Sequence, residues 1–428
     1  MAARSAGWQL RLWLGLRYLL QPLAPWLLKR RLAMGKEDPA RLQEKLGIAT
    51  RPRPEGRVVW LHAVGLGEVL ALRPLIAELS HQAPDLHFLI TSTARSSAAV
   101  LAPNLPPRCQ HQFLPLDGPR YTKRFLDHWR PSLSIWAEQD LWPGLIHDAS
   151  GRGIPLALIN ARLTDEGARK RARLRGLYRD TYACFSLIMA QDEDSARHLA
   201  ALGARDPVAG RSLKPAAQPL NVEMPELARL QRLMAGRRAW VAASTHPMDE
   251  AAVIAAHELL LVQDPQHLLI LVPRDPGRRD DTAILLAARG LSFACRSRGQ
   301  DPGASAQVLL ADTFGELGLW YRLGGAAFIG GSLDRIGGHN PWEAICLGLP
   351  VIHGPHVWNF RRDYADLTRA GLATEIPDGK DAVARLARAV VDSEGAEIRT
   401  RAEDLVNDAR ALLGPLARTL LSLAGSAP

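Results

Sequence analysis

The segment from Ile329 to Pro355 decides the fold, and it reads IGGSLDRIGGHNPWEAICLGLPVIHGP. It predicts a short apolar strand, a glycine-rich turn, a helix that starts near Pro341, and a second apolar strand. Glycine accepts positive φ without a steric penalty, so the turn lets the backbone approach a ligand closely. Asn340 suits the N-cap of the helix, and proline suits its first turn. The pattern is typical of a nucleotide pocket, with a purely structural turn as an equal alternative on these residues alone.

Glu343 lies in the first turn of that predicted helix, where the helix dipole favours a carboxylate. A carboxylate at this place can bind the vicinal hydroxyls of a ribose, while the free backbone N–H groups of the turn face a phosphate. The alternative is that Glu343 only complements the dipole.

Length and composition limit the class of protein. The chain has 428 residues, more than one hydrophobic core usually supports, so we expect two domains. Its 53 basic and 44 acidic residues give a net charge of +9, which suits nucleic acid, an acidic lipid surface or a phosphorylated substrate. Nucleic acid is not expected, because the chain has no zinc-finger spacing and no RNP-like motif. The 4 cysteines contain no CxxC pair, which argues against a disulfide framework or a zinc site.

The N-terminal segment, residues 1–33, is apolar and rich in tryptophan. Arg11 and Arg17 interrupt it, and its longest uncharged run, Tyr18 to Leu28, is shorter than the roughly 20 residues that cross a bilayer. We therefore expect a helix at the membrane interface, with apolar side chains among the headgroups and the basic cluster Lys29 to Arg31 against anionic lipid. A helix packed on protein and a full membrane span are the alternatives.

The rest of the chain contains two series of alternating apolar strands and amphipathic helices. The first predicted domain covers residues 34–214, a proline-rich linker covers residues 215–225, and the second domain covers residues 226–428. Fully apolar strands that alternate with helices predict parallel sheets covered on both faces. The predicted fold class is α/β with two doubly wound, Rossmann-like domains. We expect the carboxyl ends of the two sheets to face each other across a cleft that holds the ligands.

The first domain has charged residues after two predicted strands and one just before the linker. Glu68 stands at the start of a helix and can take a proton from a hydroxyl if burial raises its pKa. Glu138 and Asp140 form an acidic pair after another strand, and Lys214 stands just before the linker, where it can meet an anion. The plain alternatives are a capping carboxylate for Glu68 and Asp140 and a solvated lysine for Lys214.

In the second domain, two further loops follow strands. Pro273 and Arg274 form the first, and the forked donors of an arginine suit a phosphate. Gly315 and Glu316 open a helix whose N–H groups can hold a phosphate or a base.

Nine sequence blocks occur in an order that resembles a known family. They read HAVGLGE, EQDLWP, NARLT, GRSLK, AASTH, LVPRDP, DTFGEL, GGSLDRIGGHNPWEA and GPHVWNF. The chain closely resembles the bacterial 3-deoxy-D-manno-octulosonic acid (Kdo) transferases of lipopolysaccharide assembly, from its N-terminal segment almost to its C-terminus. The resemblance implies a GT-B glycosyltransferase that moves Kdo from CMP-Kdo to the lipid A precursor (lipid IVA) with inversion. It also implies a location at the cytoplasmic face of the inner membrane and no metal ion or other cofactor.

The resemblance assigns roles to residues of this chain. Glu68 matches the proton acceptor of the family, and Glu138 and Lys214 match positions that stabilise the transition state. The residues that match the CMP-contact blocks are Pro273, Arg274, Phe314, Gly315, Glu316, Asn340, Pro341, Trp342 and Glu343.

Several blocks depart from the family pattern, and two of these departures change the chemical character of the block. Gly65 and Leu66 stand where Ser-Val is usual, and Asp275 stands where a histidine is common, so its carboxylate would repel a phosphate if it pointed inward. Two other functions therefore remain open on the sequence alone. One is a GT-B glycosyltransferase or epimerase that uses a UDP-sugar, and the other is a catalytically silent paralogue that binds lipid.

Overall fold

The computed structural model describes residues 6–63, 66–93, 105–138, 140–217, 219–393 and 395–425, with residues 66–71 and 396 described by their backbone only. Their contacts divide the chain into two compact units. Unit 1 contains the described residues of Met1–Ala217 and Ala409–Pro428, and unit 2 contains those of Gln218–Asp408.

Unit 1 is built on a parallel sheet with helices on both faces. Its strands are β1 (Val58–His62), β2 (His87–Ser92), β3 (Cys109–Phe113), β4 (Leu133–Ala137), β5 (Leu156–Ala161), β6 (Leu187–Ala190) and β7 (Val208–Ala209). Its first helices are α1 (Trp8–Leu20), α2 (Ala24–Ala33), α3 (Leu66–Gln82), α4 (Pro119–Trp129), α5 (Pro143–Gly151), α6 (Asp165–Ala172), α7 (Arg175–Tyr182) and α8 (Glu193–Ala201). The strand order is β3-β2-β1-β4-β5-β6-β7, so the order reverses between β1 and β4.

The core of unit 1 explains why β1 is apolar throughout. All five of its residues are buried, because both faces of the sheet are covered. Val59 and Leu61 pack in the core that includes α3, whereas Trp60 packs in the opposite core against α4 and α5. The ring of Trp60 lies edge-on to Phe125 with centroids 5.0 Å apart. This alternation holds β1 in place and fixes where its carboxyl end lies.

Unit 2 repeats this architecture. Its strands are β8 (Arg238–Thr245), β9 (His267–Pro273), β10 (Phe293–Cys295), β11 (Val308–Leu310), β12 (Ala327–Ile329), β13 (Val351–His353) and β14 (Ala373–Glu375). The helices are α9 (Met224–Leu233), α10 (Pro247–Gln263), α11 (Arg279–Ala288), α12 (Leu317–Leu323), α13 (Trp342–Ile345), α14 (Arg361–Arg369), α15 (Ala382–Asp392) and α16 (Ala396–Ala411). The parallel strands run in the order β10-β11-β9-β8-β12-β13-β14, which reverses between β8 and β12. The predicted α/β fold class with two doubly wound units is confirmed.

The last helix, α17 (Leu413–Gly425), belongs to unit 1 rather than to unit 2. Leu416 and Leu420 are buried in the core that contains Leu75 and Leu79 of α3. The side chain of Gln82 donates to the carbonyl of Gly414 over 3.1 Å. The predicted second domain covers residues 226–428. The structure instead places residues 409–425 in unit 1, because the apolar face of α17 covers α3.

Helix α1 lies on unit 1 through polar side chains. The guanidinium of Arg17 is buried and donates to Asp148 over 2.7 Å and to Thr122 over 3.0 Å. The indole N–H of Trp13 donates to Asp117 over 3.0 Å. Arg17 therefore anchors the helix to the sheet domain, because a buried charge is costly unless its partners stay in place.

Helices α1 and α2 and the turn between them also carry large apolar side chains that are exposed. The large apolar side chains that stay exposed here are Trp8, Leu12, Leu16, Tyr18, Leu19, Leu20, Leu23, Trp26 and Leu27. We call this set the N-terminal apolar face. Of the helices in the described part of the chain, none has the length and apolarity to span a membrane.

Candidate active site

The carboxyl ends of the unit 1 strands carry Glu138, which directly follows β4. Its backbone has φ of +64°, a conformation that costs free energy for a side chain other than glycine and that recurs at functional sites. Its Oε1 atom accepts from the side-chain amides of Asn160 over 3.2 Å and Gln191 over 3.1 Å. Both amides are nearly fully buried. The carboxylate is therefore held in one orientation by two fixed donors.

The same amide side chain reaches the segment that contains Lys214. The Oδ1 atom of Asn160 accepts from the backbone N–H of Leu213 over 3.1 Å. Lys214 comes next and begins a short 3₁₀ turn, Lys214–Ala216. Asn160 therefore links the carboxylate of Glu138 to the backbone that directly precedes Lys214. Asn160 lies in the NARLT block, whereas Gln191 was missed; its only signal is that it directly follows β6.

The third predicted catalytic residue, Glu68, has its backbone in the first turns of α3, and its side chain lies outside the described residues. The same holds for Leu66, and Gly65 lies outside the description altogether. The role of Glu68 stays a prediction.

A buried histidine ties the end of β1 to the loop after β4. His62 is fully buried, and its Nε2–H donates to Asp140 over 3.2 Å. Burial alone would raise the pKa of Asp140, but the hydrogen bonds from His62 and Trp142 outweigh it and hold that pKa below its ordinary value. Asp140 is therefore ionised at neutral pH, and it fixes this loop rather than capping α5.

In unit 2, Glu316 is held by the protein itself. Its carboxylate accepts from Arg296 over 2.6 Å and from the hydroxyl of Thr313. Burial alone would raise its pKa, but these hydrogen bonds lower it on balance. The same arginine also binds Glu226 over 2.8 Å. The carboxylate of Glu316 is thus engaged, and Arg296 is a supporting residue that sequence reasoning missed.

The residues just before Glu316 are open instead. Gly315 has φ of +85°, and among the described residues other than its own chain neighbours no atom lies within 4 Å of the place where a Cβ would stand. The side chain of Phe314 is 76% exposed. A ligand can therefore approach this loop through the backbone of Gly315 and the ring of Phe314.

The loop after β9 places Arg274 beside β8. Pro273 ends β9, and the backbone N–H of Arg274 donates to the carbonyl of Thr245 over 3.0 Å. The side chain of Arg274 is exposed. Asp275, the departure from the family pattern, accepts from the N–H of Gly277 over 2.9 Å and caps the next turn. Its carboxylate is therefore occupied locally.

The glycine-rich turn leads into α13, which begins at Trp342 rather than at Pro341. The N-cap is therefore Pro341 and not Asn340, which lies one residue earlier; its Oδ1 atom accepts from the N–H of Trp342 over 3.1 Å. Trp342 itself is buried and donates to Asp363 over 2.8 Å, so its side chain supports the fold. Asn340 also donates to Glu343 over 3.4 Å. The carboxylate of Glu343 is the ligand-binding candidate of this turn.

Burial raises the pKa of Glu343, and Asn340 and the charge of Arg274 only partly oppose this effect. A carboxylate kept in such a place without a full set of donors is typical of a binding site. In the part of the chain that the structure describes, no three His, Cys, Asp or Glu side chains are grouped to hold a metal ion.

Comparison with known proteins points to one family of enzymes. Residues 40–214 match the family model of the 3-deoxy-D-manno-octulosonic-acid transferases (kdotransferase). The fold is similar to that of the UDP-GlcNAc 2-epimerase from Neisseria meningitidis bound to UDP-GlcNAc, with a TM-score of 0.56 and 13% identity over 86% of this chain and 99% of that one. At this identity the likeness shows the fold alone, which is the two-domain α/β fold of GT-B glycosyltransferases and related epimerases.

Two curated relatives cover most of the chain. The 3-deoxy-D-manno-octulosonic acid transferase of Haemophilus influenzae is 34% identical over 84% of this chain and 85% of its own length. The enzyme of that name from Bordetella pertussis is 36% identical over 85% of this chain and 88% of its own length. Since these relatives are more than 30% identical over most of its length, this chain belongs to the family of 3-deoxy-D-manno-octulosonic acid transferases, which are glycosyltransferases.

Proposed function

We propose that this protein transfers Kdo from CMP-Kdo to a lipid A precursor in lipopolysaccharide synthesis. Membership of the transferase family supports the reaction class. The structural observation that most supports the proposal is the position of Asn160. Its side chain hydrogen-bonds both the carboxylate of Glu138 and the backbone that precedes Lys214. One acidic and one basic residue suit a reaction in which opposite charges develop on the two sides of one breaking bond.

The proposed chemistry is a direct displacement. Glu68 takes the proton of an acceptor hydroxyl, whose oxygen forms a bond to the anomeric carbon of Kdo. The bond between that carbon and the CMP phosphate breaks, and its electron pair leaves with the phosphate. Positive charge grows on the sugar ring, where Glu138 stabilises it, and negative charge grows on the phosphate, where Lys214 stabilises it.

Unit 2 is the proposed site for the nucleotide of the donor. Arg274 supplies exposed forked donors for a phosphate. The open backbone at Gly315 lets the cytidine approach closely, and Phe314 offers an exposed ring for contact. Glu343 is the acceptor for the ribose hydroxyls.

A transfer assay tests the proposed function. The wild-type chain is incubated in detergent with a tetraacylated lipid A precursor and CMP-Kdo generated in situ, and the lipid is analysed by mass spectrometry. We expect a mass gain of one or more Kdo units, and parallel reactions with UDP-sugars should leave the lipid unchanged. A folded chain that adds no Kdo, or that acts on a UDP-sugar instead, would overturn the proposal.

Glutamine at position 343 should separate binding from stability. Burial raises the pKa of Glu343 in the folded protein. Between the pKa of the unfolded chain and that of the folded protein, the folded state therefore binds more protons. In this range the free energy of unfolding falls as pH rises. Glu343→Gln removes this loss. We expect the variant to be more stable than wild type at neutral pH, with the difference closing below about pH 4. The affinity for CMP should fall about tenfold or more, because a charged acceptor for ribose is lost.

Chemical unfolding across pH and calorimetric titration with CMP measure the two effects. The control is Glu397→Gln, which removes an exposed carboxylate of the same unit. A variant with unchanged stability and unchanged affinity would show that Glu343 is only a partner of the helix dipole.

We further propose that the protein docks on the cytoplasmic side of the inner membrane through the N-terminal apolar face. Three facts support this. The face exposes nine large apolar side chains, with Trp8 at 72% and Leu19 at 75% exposure. The basic cluster Lys29, Arg30 and Arg31 follows directly and is exposed. Polar contacts of Arg17 fix the other side of the helix to unit 1, so the apolar side points away from the fold.

A charge placed on the N-terminal apolar face should weaken membrane binding strongly. Leu19→Glu replaces an exposed leucine whose burial among headgroups contributes roughly 1.5–3 kcal/mol, so binding to anionic vesicles should fall more than about tenfold. Co-sedimentation with phosphatidylglycerol-containing vesicles measures it. The control is Leu233→Glu, an equally simple change of an exposed leucine in unit 2. Equal sedimentation of both variants, or no sedimentation of wild type, would contradict the proposed docking face.

A further inference from the structure

One turn of unit 2 contacts both loops that form the proposed nucleotide site. It comprises residues 244–249, where β8 ends and α10 begins, and we call it the 244–249 turn. On one side the carbonyl of Thr245 accepts from the N–H of Arg274 over 3.0 Å. On the other side the fully buried carboxylate of Asp249 accepts from the N–H groups of Gly331 over 2.7 Å and Leu333 over 3.1 Å. The turn is thus a common support for the loop after β9 and the glycine-rich turn.

The backbones also approach closely at this point. Ser244 has φ of +55°, in the left-handed region that side chains rarely adopt. A Cβ on Gly330 would lie only 2.4 Å from the carbonyl oxygen of Ser244. Gly330 is therefore required for contact with the turn, and the conformation of the turn is fixed by its neighbours.

A pair of histidines makes the remaining contact. The Nε2 atoms of His246, in the 244–249 turn, and His339, in the glycine-rich turn, are 3.0 Å apart. The ring planes are within 7° of each other with centroids 5.3 Å apart. Because the two nitrogens are close and the ring planes are nearly parallel, the N–H of one ring points at the lone pair of the other. One proton is shared, and the pair cannot accept a proton on both Nε2 atoms without losing the bond.

His339 is neutral at physiological pH. Burial, with His246 and the charge of Arg274 in addition, lowers the pKa of His339 to about 4. His339 therefore adds no positive charge for a phosphate, and each ring already occupies the Nε2 atom of the other. Their contribution is geometric.

What this geometry controls is the start of α13. The carbonyl of His339 accepts from the hydroxyl of Tyr364 over 2.9 Å, so the residue is held by its backbone and by its ring. Asn340 follows, accepts from the N–H of Trp342 and donates to Glu343. A movement of His339 would therefore displace the proposed ribose acceptor relative to Arg274, which the same 244–249 turn holds.

We propose that the His246–His339 hydrogen bond is a positioning contact that sets the spacing between Arg274 and Glu343 for the nucleotide of the donor. Neither histidine is a catalytic residue, since each acts through the loop that it holds. This inference rests on the proposed function, because the ligand it concerns is the donor nucleotide.

A double-mutant cycle tests it in the full chain. CMP affinity is measured by calorimetry, and KM and kcat for Kdo transfer are measured for wild type, His246→Leu, His339→Leu and the double variant. Each single change should weaken CMP binding about three- to tenfold, the size of one hydrogen bond. The double variant should bind no more weakly than the weaker single variant, because both changes remove the same contact. KM for the donor should rise while kcat changes little.

A conservative variant and a control complete the design. In His246→Gln the side-chain amide can still meet the Nε2 atom of His339, so most of the lost affinity should return. Met248→Ala changes an exposed side chain of the same turn and should bind CMP as wild type does. The glutamine variant carries the test if either leucine variant fails to fold.

Three outcomes would overturn the proposal. They are unchanged affinity in the single variants, fully additive losses in the double variant, and a glutamine variant that binds no better than the leucine variant. If wild type itself does not bind CMP, the assigned donor is wrong and the inference falls with it. Wild-type binding with additive losses would remove the inference alone.

Discussion

Glu68→Gln is expected to lower the turnover number for Kdo transfer about 10²- to 10⁴-fold, the usual contribution of a general base. Glutamine has nearly the same size and polarity but cannot take the proton of the acceptor hydroxyl. The attacking oxygen would then carry its proton into the transition state, while binding of both substrates would persist. KM for CMP-Kdo should therefore stay close to the wild-type value.

Initial rates from mass spectrometry of the lipid product measure this effect. The matched control is Glu78→Gln, a second glutamate of α3, whose carboxylate accepts from the side chain of Gln82 on the same helix. It should retain wild-type activity. If Glu68→Gln kept more than about a tenth of the wild-type rate, the proton would have to go to another group.

Glu138→Gln should produce the second largest loss, about 10²- to 10³-fold in turnover. Both amide donors to Glu138 meet the same oxygen, Oε1, so a glutamine with its carbonyl at that place keeps the hydrogen bonds of Asn160 and Gln191. The substitution therefore removes the negative charge and keeps these two hydrogen bonds. A carboxylate that stabilises positive charge on the sugar in the transition state should lower kcat when it is neutralised, with CMP affinity unchanged.

Thermal unfolding shows whether this hydrogen-bonded arrangement survives, and we expect a melting temperature close to wild type. Glu166→Gln, at an exposed glutamate on α6 of the same unit, is the control for the loss of one charge. Turnover within about threefold of wild type would mean that Glu138 serves only to fix Asn160 and Gln191, and that the stabilising charge lies elsewhere.

The long central strands were predictable because burial on both faces demands an unbroken apolar run. Strand β1 lies where its VVWLH sequence predicts it. For the next strands the pattern is less exact: it predicts a strand over Gln112 to Leu116, whereas β3 covers Cys109–Phe113, since Cys109 and Gln110 are not hydrophobic markers of a strand. The edge strands β7, β10 and β14 were not predicted at all. Two or three residues at the rim of a sheet are too few to form a periodic pattern.

The residues of the candidate site also fall into two groups, those with a local sequence signal and those without one. Glu138, Lys214 and Glu343 each stand at a strand end or helix start, so local pattern and family resemblance both locate them. The residues that hold them do not carry a local signal. Gln191 is 53 residues from Glu138, and His246 is 93 residues from His339. Such contacts arise from the packing of the sheet, and a single sequence contains no record of which distant side chains will meet.

The position of α17 has a consequence for how the protein is made. Unit 2 lies, in chain order, inside unit 1, because residues 409–425 return to the core of α3. During synthesis, the core of unit 1 stays incomplete until α17 leaves the ribosome. A fragment that ends at the linker would expose the apolar surface that Leu416 and Leu420 cover. Residues 218–408 form one contiguous stretch, so unit 2 is the part suited to expression as an isolated fragment.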